Sequence, residues 1–432
     1  MRVGVVGCGY VGTVVSACLA EIGNQVVAAD IDASRLDLLR AGRSPIFEPG
    51  LEELLAKNLS AGRLKFTAET PEVGRHGQVI FLCVGTPMQE DGRPDLRALV
   101  DAARTVAAAL SQPALIAVKS TVPVGTTERI AGKVSSLAKV PVDFAFVPEF
   151  LKEGDAVRDF MKPDRVVVGA SKPEVVEALR RLHAPFLRTM HPFIPMDIRS
   201  AEITKYASNF MLAARISSIN EIAALCERTG ADVDAVRRGV GADSRVGYPF
   251  LFPGVGYGGS CFPKDVEALI KMGQDHGLEM PVSSAVQKTN RDQRARFAAR
   301  ILERLGKPSG KSVALWGLAF KPRTDDIREA PAVGIIETLL KAGLSVRAYD
   351  PQANAKAAKL FGARVSIAAD PYAALDGADA LVLVTEWDEF RTPDFDEIKR
   401  RLRTPVIFDG RNIWEAAPLR ALGFEVFGVG RP

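Results

Sequence analysis

Histidine and cysteine are scarce in this chain, with four of the first and five of the second among 432 residues. His76, His183, His191 and His276 are dispersed, and Cys8, Cys18, Cys83, Cys226 and Cys261 show no metal-type spacing, so no metal site is expected. The odd, scattered cysteine set points to a reduced, cytoplasmic compartment. Long apolar runs are also missing, and none approaches the roughly 20 residues of a membrane span. The apolar start Met1 to Val6 is broken at once by Gly7, Gly9 and Gly12, and reads as a strand and turn rather than a signal peptide. An excess of one charge is lacking too. The net charge of +4 comes from 56 basic against 52 acidic residues without a basic stripe, which argues against nucleic acid as a partner.

What remains is an ordinary globular composition, 47% hydrophobic and 25% charged, in a chain long enough for two or three domains. Short apolar runs alternate with helix-length segments at Val3 to Val6, Gln25 to Ala29, Gln78 to Val84, Leu115 to Ser120, Asp143 to Val147 and Arg165 to Val168. That is the βαβ pattern of a parallel, doubly wound sheet. From Ser200 to about Arg228 a stretch without Pro or Gly is apolar on more than one face, through Ile203, Phe210, Leu212, Ile216, Ile219, Ile222 and Leu225. Such a helix is expected to be buried between domains or subunits. After the linker-like Gly306 to Gly310, alternation returns at Ser312 to Trp316, Ser345 to Tyr349, Ala380 to Thr385 and Pro405 to Phe408. The expected plan is α/β: two Rossmann-like domains, 1–195 and 306–432, joined by a helical domain, 196–305.

Gly7-Cys8-Gly9-Tyr10-Val11-Gly12 follows a predicted strand and opens a predicted helix, and Asp30 ends the next strand about 20 residues on. Gly7 permits the tight turn, Gly9 lets backbone approach a pyrophosphate, and Gly12 lets helix and strand pack closely. Tyr10 and Val11 lie on the same turn. The phosphates would sit on the helix N-terminus, and Asp30 would accept from the ribose hydroxyls while repelling a 2′-phosphate, so NAD is favoured over NADP. Arg35 lies close enough to soften that preference. Thr86 in Val84 to Pro87 and Thr121 in Ser120 to Gly125 each follow a strand, and beside the fingerprint these loops line the nicotinamide half.

Four of the cysteines lie in segments where a thiol is usually a small hydrophobe. Cys261 sits instead in Gly256-Tyr257-Gly258-Gly259-Ser260-Cys261-Phe262-Pro263-Lys264-Asp265, where small residues leave a ligand room and a cation lies nearby. That setting favours thiolate and a nucleophilic role. Lys205 and Asn209 share one face of the long helix at i, i+4 spacing.

The runs Gly7 to Gly12, Ser120 to Gly125, Pro148 to Gly154, Lys205 to Asn209 and Gly258 to Asp265 together resemble the UDP-glucose/GDP-mannose dehydrogenase family, in the family's order and across essentially the whole chain. The resemblance implies two successive oxidations of a nucleotide sugar at its 6-carbon by NAD, through a thiohemiacetal and a thioester on Cys261. Asp265 would act as base through a water, Lys205 and Asn209 would stabilise oxyanions, and Glu149, Thr121 and Asp265 would serve the hydrolytic water. Glu153, Lys264 and Arg328 resemble NAD contacts. Glu149, Phe150, Leu151, Lys152 and Gly258 would contact the sugar nucleotide, and Phe250-Leu251-Phe252-Pro253-Gly254 would cover it. Lys321 and Arg411 resemble residues that hold substrate in the last domain, and Arg245 one donated across a homodimer interface formed by the central helix. The last domain lacks the glycines after Gly317, so the resemblance assigns it UDP rather than a second NAD.

Ser260 and Phe262 fit the UDP-glucose branch, since GDP-mannose relatives tend to carry Leu after the cysteine and N-acetylmannosamine relatives His before it. Another nucleotide-sugar 6-dehydrogenase, a single-oxidation hydroxyacid dehydrogenase and a non-catalytic sensor stay open as alternatives. The second needs no nucleophilic cysteine, and the third should tolerate loss of Cys261, Lys205 and Asp265.

Overall fold

The computed structural model describes residues 1–187 and 192–431, so His191 lies outside the described residues. The chain divides into two compact units, Met1–Ser208 and Asn209–Pro432.

Among the described residues, the first unit holds an eight-stranded sheet in the spatial order Leu64–Thr67, Gln25–Ala29, Arg2–Val6, Val79–Leu82, Ala114–Val118, Val142–Phe146, Val166–Ala170, Phe193–Met196. Its central strands are apolar on both faces, as a sheet covered on both sides requires. Alternate residues supply two cores: Val3, Val5, Val26 and Phe81 face one layer of helices, and Val6, Val27, Ile80 and Leu82 face the other. The sheet is parallel through Val142–Phe146, but that strand pairs antiparallel with Val166–Ala170, so the last two strands run the opposite way.

In the second unit a six-stranded, wholly parallel sheet runs Ser366–Ile367, Ser345–Tyr349, Ser312–Trp316, Ala380–Leu383, Val406–Asp409, Glu425–Gly428. In both sheets the order reverses beside the first strand, between Arg2–Val6 and Val79–Leu82 and between Ser312–Trp316 and Ala380–Leu383. Ligands bind at the carboxyl edge of such a switch point.

The long helix is Ile198–Thr229. It is not buried all round: Tyr206, Ala213, Ile219 and Ala223 are enclosed, whereas Ile203, Met211, Ile222 and Leu225 are between 40% and 59% exposed. The helices Phe262–Asp275 and Pro281–Leu305 follow in the second unit. Among the described residues no helix is long and apolar enough to cross a membrane, and no group of three or more His, Cys, Asp or Glu could hold a metal ion.

Candidate active site

Gly7 ends the first strand with φ +92°, and a Cβ there would press on the Cys83 carbonyl at 2.8 Å. At Gly12, in the helix Tyr10–Glu21, a Cβ would come within 1.7 Å of the Gly7 carbonyl oxygen, so only glycine lets helix and turn pack. Gly9 differs. A Cβ on it would meet nothing within 4 Å, so packing does not demand its smallness. The helix begins at this turn with no side-chain cap, leaving its first N–H groups to attract an anion.

Asp30 is buried, and its carboxylate accepts from the Cys8 amide at 2.6 Å, the Asp32 amide at 2.9 Å and Arg35 Nη1 at 2.9 and 3.0 Å. Arg35 is thus bound to the very acid expected to read the ribose. Thr86 donates to the Thr121 carbonyl at 3.0 Å, which joins the two loops assigned to the nicotinamide side. The Tyr10 hydroxyl donates to Glu48, a buried carboxylate that also accepts the Gly154 amide at 2.7 Å. Burial and Glu48 together push the Tyr10 phenol well above its usual range. Glu48 therefore ties the glycine turn to the loop that carries Glu153. Val11 packs against the unit's core.

Glu149 is 9% exposed. Its carboxylate accepts Lys205 Nζ at 2.8 Å and the Leu151 amide at 2.7 Å, and Lys205 also reaches the Glu149 carbonyl at 2.7 Å. Burial alone would raise this carboxyl, but the Lys205 ammonium and those hydrogen bonds hold it below the ordinary carboxylate range. Lys205 lies 5.4 Å from the Phe150 ring centre. Lys152 instead turns outward to Asp159 at 3.1 Å.

In the second unit Cys261 is the N-cap of Phe262–Asp275 and is exposed, whereas Cys8, Cys18, Cys83 and Cys226 are buried. Burial drives the thiols of Cys8, Cys18 and Cys83 upward, that of Cys83 to about 12, which suits inert core residues. Cys261 instead stands exposed at a helix N-terminus, without a side-chain cap bond. One turn inside, Asp265 is 1% exposed and donates its amide to the Cys261 carbonyl at 2.8 Å. Its carboxylate accepts Asn209 Nδ2 at 2.6 Å and Lys264 Nζ at 2.5 Å. Lys264 thus directs its charge to Asp265. Ser260 Oγ lies 3.7 Å from the Cys261 sulfur.

The loop before the cysteine is held by buried polar side chains that the sequence reading missed. Asn290 exchanges hydrogen bonds with the Tyr257 backbone at 2.9 and 3.0 Å, Gln293 donates to the Gly254 carbonyl at 2.6 Å, and Asn220 accepts the Gly254 amide at 2.8 Å. Arg294 adds a bond to the Glu329 carbonyl at 3.0 Å. Gly258 approaches that same segment so closely that a Cβ would sit 2.2 Å from the Glu329 carbonyl oxygen. Asn290, Gln293 and Arg294 fall at i, i+3, i+4 on one helix, a signal that was visible but is usual for a solvated face. Arg328 pairs with Asp326 at 2.6 Å, and its carbonyl accepts the Gly259 amide at 3.0 Å.

Phe250 takes a positive φ of +62°, Leu251 and Pro253 are buried, and Phe252 is 59% exposed beneath the Arg237 guanidinium. Arg411, at the edge of the second sheet, donates to the Val384 carbonyl at 2.6 Å and, at 3.3 Å each, to those of Gly256 and Phe320. Lys321 Nζ lies 5.5 Å from the Phe320 ring centre. Arg245 is bound to Asp243 at 2.6 Å and is exposed.

Family models match the chain in three parts: the NAD binding domain over residues 1–187, the central domain over 199–292 and the UDP binding domain over 314–416 of the UDP-glucose/GDP-mannose dehydrogenase family. The chain is 48% identical to a UDP-glucose 6-dehydrogenase of Pseudomonas aeruginosa, over 100% of this chain and 98% of that protein. A UDP-glucose dehydrogenase structure from Pyrobaculum islandicum superposes with a TM-score of 0.92 at 39% identity, covering 100% of this chain and 98% of that one. A UDP-D-ManNAc dehydrogenase from Pyrococcus horikoshii gives 0.88 at 29% identity, covering 100% and 99%. With an NAD binding fold in its first unit and sequence likeness running its full length, the chain belongs to the UDP-glucose/GDP-mannose dehydrogenase family of oxidoreductases.

Proposed function

We propose that this chain oxidises UDP-glucose twice at the 6-carbon, to UDP-glucuronate, through covalent intermediates on Cys261. The observation that carries the reading is an exposed cysteine at a helix N-cap with a buried, doubly hydrogen-bonded carboxylate, Asp265, one turn inside. NAD, bound at Gly7 to Gly12 and Asp30 with Thr86, Thr121, Glu153, Lys264 and Arg328, supplies the hydride acceptor for each oxidation. Asp265 takes the hydroxyl proton through a water as the alcohol becomes an aldehyde. The Cys261 sulfur adds to the aldehyde carbon, giving a thiohemiacetal that still bears a hydride to lose. Its oxidation leaves a thioester. Water positioned by Glu149 and Thr121 attacks the acyl carbon, the carbon–sulfur bond breaks, and the carboxylate and free thiol result. Lys205 and Asn209, one turn apart on a continuous helix, stabilise the oxyanions at that carbon.

The family's division of labour supports three functional domains, 1–195 for NAD, 196–305 for the cysteine loop and 306–432 for UDP, with Phe250 to Gly254, Gly258, Lys321 and Arg411 on the substrate side. The exposed stripe Ile203, Met211, Ile222 and Leu225 supports a homodimer through the long helix, to which Arg245 would contribute from the partner. The scattered cysteines and the want of a basic stripe support a cytoplasmic enzyme without a nucleic-acid partner. Fold alone does not choose the sugar, since UDP-glucose and UDP-D-ManNAc dehydrogenases both superpose well; Ser260 and Phe262 favour UDP-glucose.

The test is to incubate the purified protein with UDP-glucose and excess NAD and count NADH per sugar, beside GDP-mannose and UDP-N-acetylmannosamine. Two NADH per UDP-glucose are expected, and Cys261→Ser should stall with an ester detectable by mass. One NADH per sugar, or full turnover by the variant, would overturn the mechanism.

A further inference from the structure

A second buried lysine contacts the backbone two residues before Glu149. Lys119 stands at the end of Ala114–Val118, whose neighbours in the sheet end beside Cys83 and Val147, and it is 5% exposed. Its Nζ donates to the Val147 carbonyl at 3.2 Å and lies 5.6 Å from the Phe81 ring centre. The titratable groups that act on it are Cys83, Glu149, Lys205 and His183. Burial holds Cys83 as a thiol and His183 neutral, so Glu149 is the anion of this set. An ammonium taken out of water costs several kcal/mol unless charge and hydrogen bonds offset it, and burial pulls the Lys119 ammonium below its usual range. A fold that needed only a carbonyl partner at Val147 would be served by a neutral donor.

We propose that Lys119 is a positioning residue: it anchors the Val147 carbonyl, two residues before Glu149, and as a second cation near that carboxylate keeps it ionised and engaged with Lys205. The inference rests on the reading of Glu149 as a group that serves the hydrolytic water.

Two neutral replacements separate charge from packing. Lys119→Gln retains an N–H donor for Val147, Lys119→Met does not, and Lys119→Arg retains the charge. The Glu149 carboxyl is titrated directly by infrared difference between each protein and its Glu149→Gln counterpart, alongside the pH profile of kcat. Removing a nearby cation raises a carboxyl, so in Lys119→Gln and Lys119→Met the Glu149 band should titrate about one pH unit higher, with Lys119→Arg restoring it. The acid limb of kcat should move with the band and should not respond to Lys119 in the Glu149→Gln background. A band that stays in place in a folded Lys119→Gln protein overturns the inference. A band that moves without the kcat limb upholds the electrostatic link and instead sinks the reading of Glu149.

Discussion

Six strands of the first sheet follow the same spatial order as the six of the second, and each sheet has a glycine of positive φ after its first strand and an aspartate after its second, Gly7 with Asp30 and Gly317 with Asp350. The acids do different things. Asp350 is fully buried and accepts five N–H groups: Leu318 at 2.7 Å, Ala319 at 3.0 Å, Gln352 at 2.9 Å, Ala353 at 2.8 Å and the Trp387 indole at 3.0 Å. Its lone pairs are committed to clamping its own turn. Asp30 binds two backbone amides, and its remaining partner is a guanidinium whose side chain is 33% exposed. Ligand hydroxyls can replace such a partner without opening any backbone. The turns differ as well, because a helix starts at Tyr10 after Gly7 but only at Pro331 after Gly317. One strand order thus supports either an uncapped helix start directly after the glycine or a turn clamped by its own aspartate, and the residues just past the first glycine decide which.

The comparison breaks most readily at Gly12. A Cβ there meets a backbone carbonyl at 1.7 Å, which cannot move without the turn. Gly12→Ala should weaken NADH binding by at least about 100-fold in a fluorescence titration and destabilise the first unit by on the order of 3 kcal/mol. Near-normal NADH affinity would mean that this helix start does not hold the cofactor.

Next in size is the exchange of the two acids. Asp350→Asn turns an NH₂ toward N–H donors and should cost on the order of 2 kcal/mol in calorimetric stability while leaving KM for NAD unchanged. Asp30→Asn should instead raise KM for NAD and relax discrimination against NADP. If the two variants behave alike, the distinction between clamp and reader fails.

Much of this architecture was legible because buried parallel strands must be short apolar runs: Gln25–Ala29, Ser312–Trp316 and Ser345–Tyr349 match the sequence reading at both ends. The strand Leu64–Thr67 escaped it, since four residues with Lys65 exposed leave almost no period to detect. Phe193–Met196 escaped because Pro195 forbids a central strand but not an edge one. The reversal beside Val142–Phe146 has no local signature, as a strand's direction is set by the connection and not by its residues. At the site, the glycine-dense loop advertised Cys261. Lys119 and Glu202 did not stand out, because a lone charge in an apolar segment looks like a solvated one. Glu202 is in fact fully buried and accepts the Gly125 and Thr127 amides at 2.5 and 2.9 Å, fixing the loop that carries Thr121 to the long helix. Arg411 and Arg245 each have a carboxylate within reach in this chain, Glu386 at 3.1 Å and Asp243 at 2.6 Å.

Acid should separate the two units. His183 is buried in the first, and burial pushes its imidazole from 6.5 down to about 4. A depressed histidine stabilises the fold above its unfolded value, and that stabilisation, about 3 kcal/mol, is lost as pH falls from roughly 6.5 through 4. The tryptophans Trp316, Trp387 and Trp414 all lie in the second unit, so their fluorescence reports that unit alone. Circular dichroism should therefore change at a higher pH than tryptophan emission, and His183→Gln should close the gap. Coincident transitions would show that His183 does not govern the acid limit of the first unit.

The smallest effect on the fold is expected at Gly9, and it is the sharpest discriminator. Unlike Gly12, Gly9 has empty space where a Cβ would go, so Gly9→Ala should alter stability by no more than about 0.5 kcal/mol. A methyl group there would nonetheless stand where a pyrophosphate meets the backbone, and NADH affinity should fall by roughly tenfold, equivalent to about 1.4 kcal/mol. Ala319 occupies the corresponding place two residues after Gly317, so the reverse change, Ala319→Gly, should confer no measurable NADH binding on the second turn. Unchanged NADH affinity in Gly9→Ala would place the cofactor phosphates elsewhere, because no packing contact would remain to explain why this position is glycine.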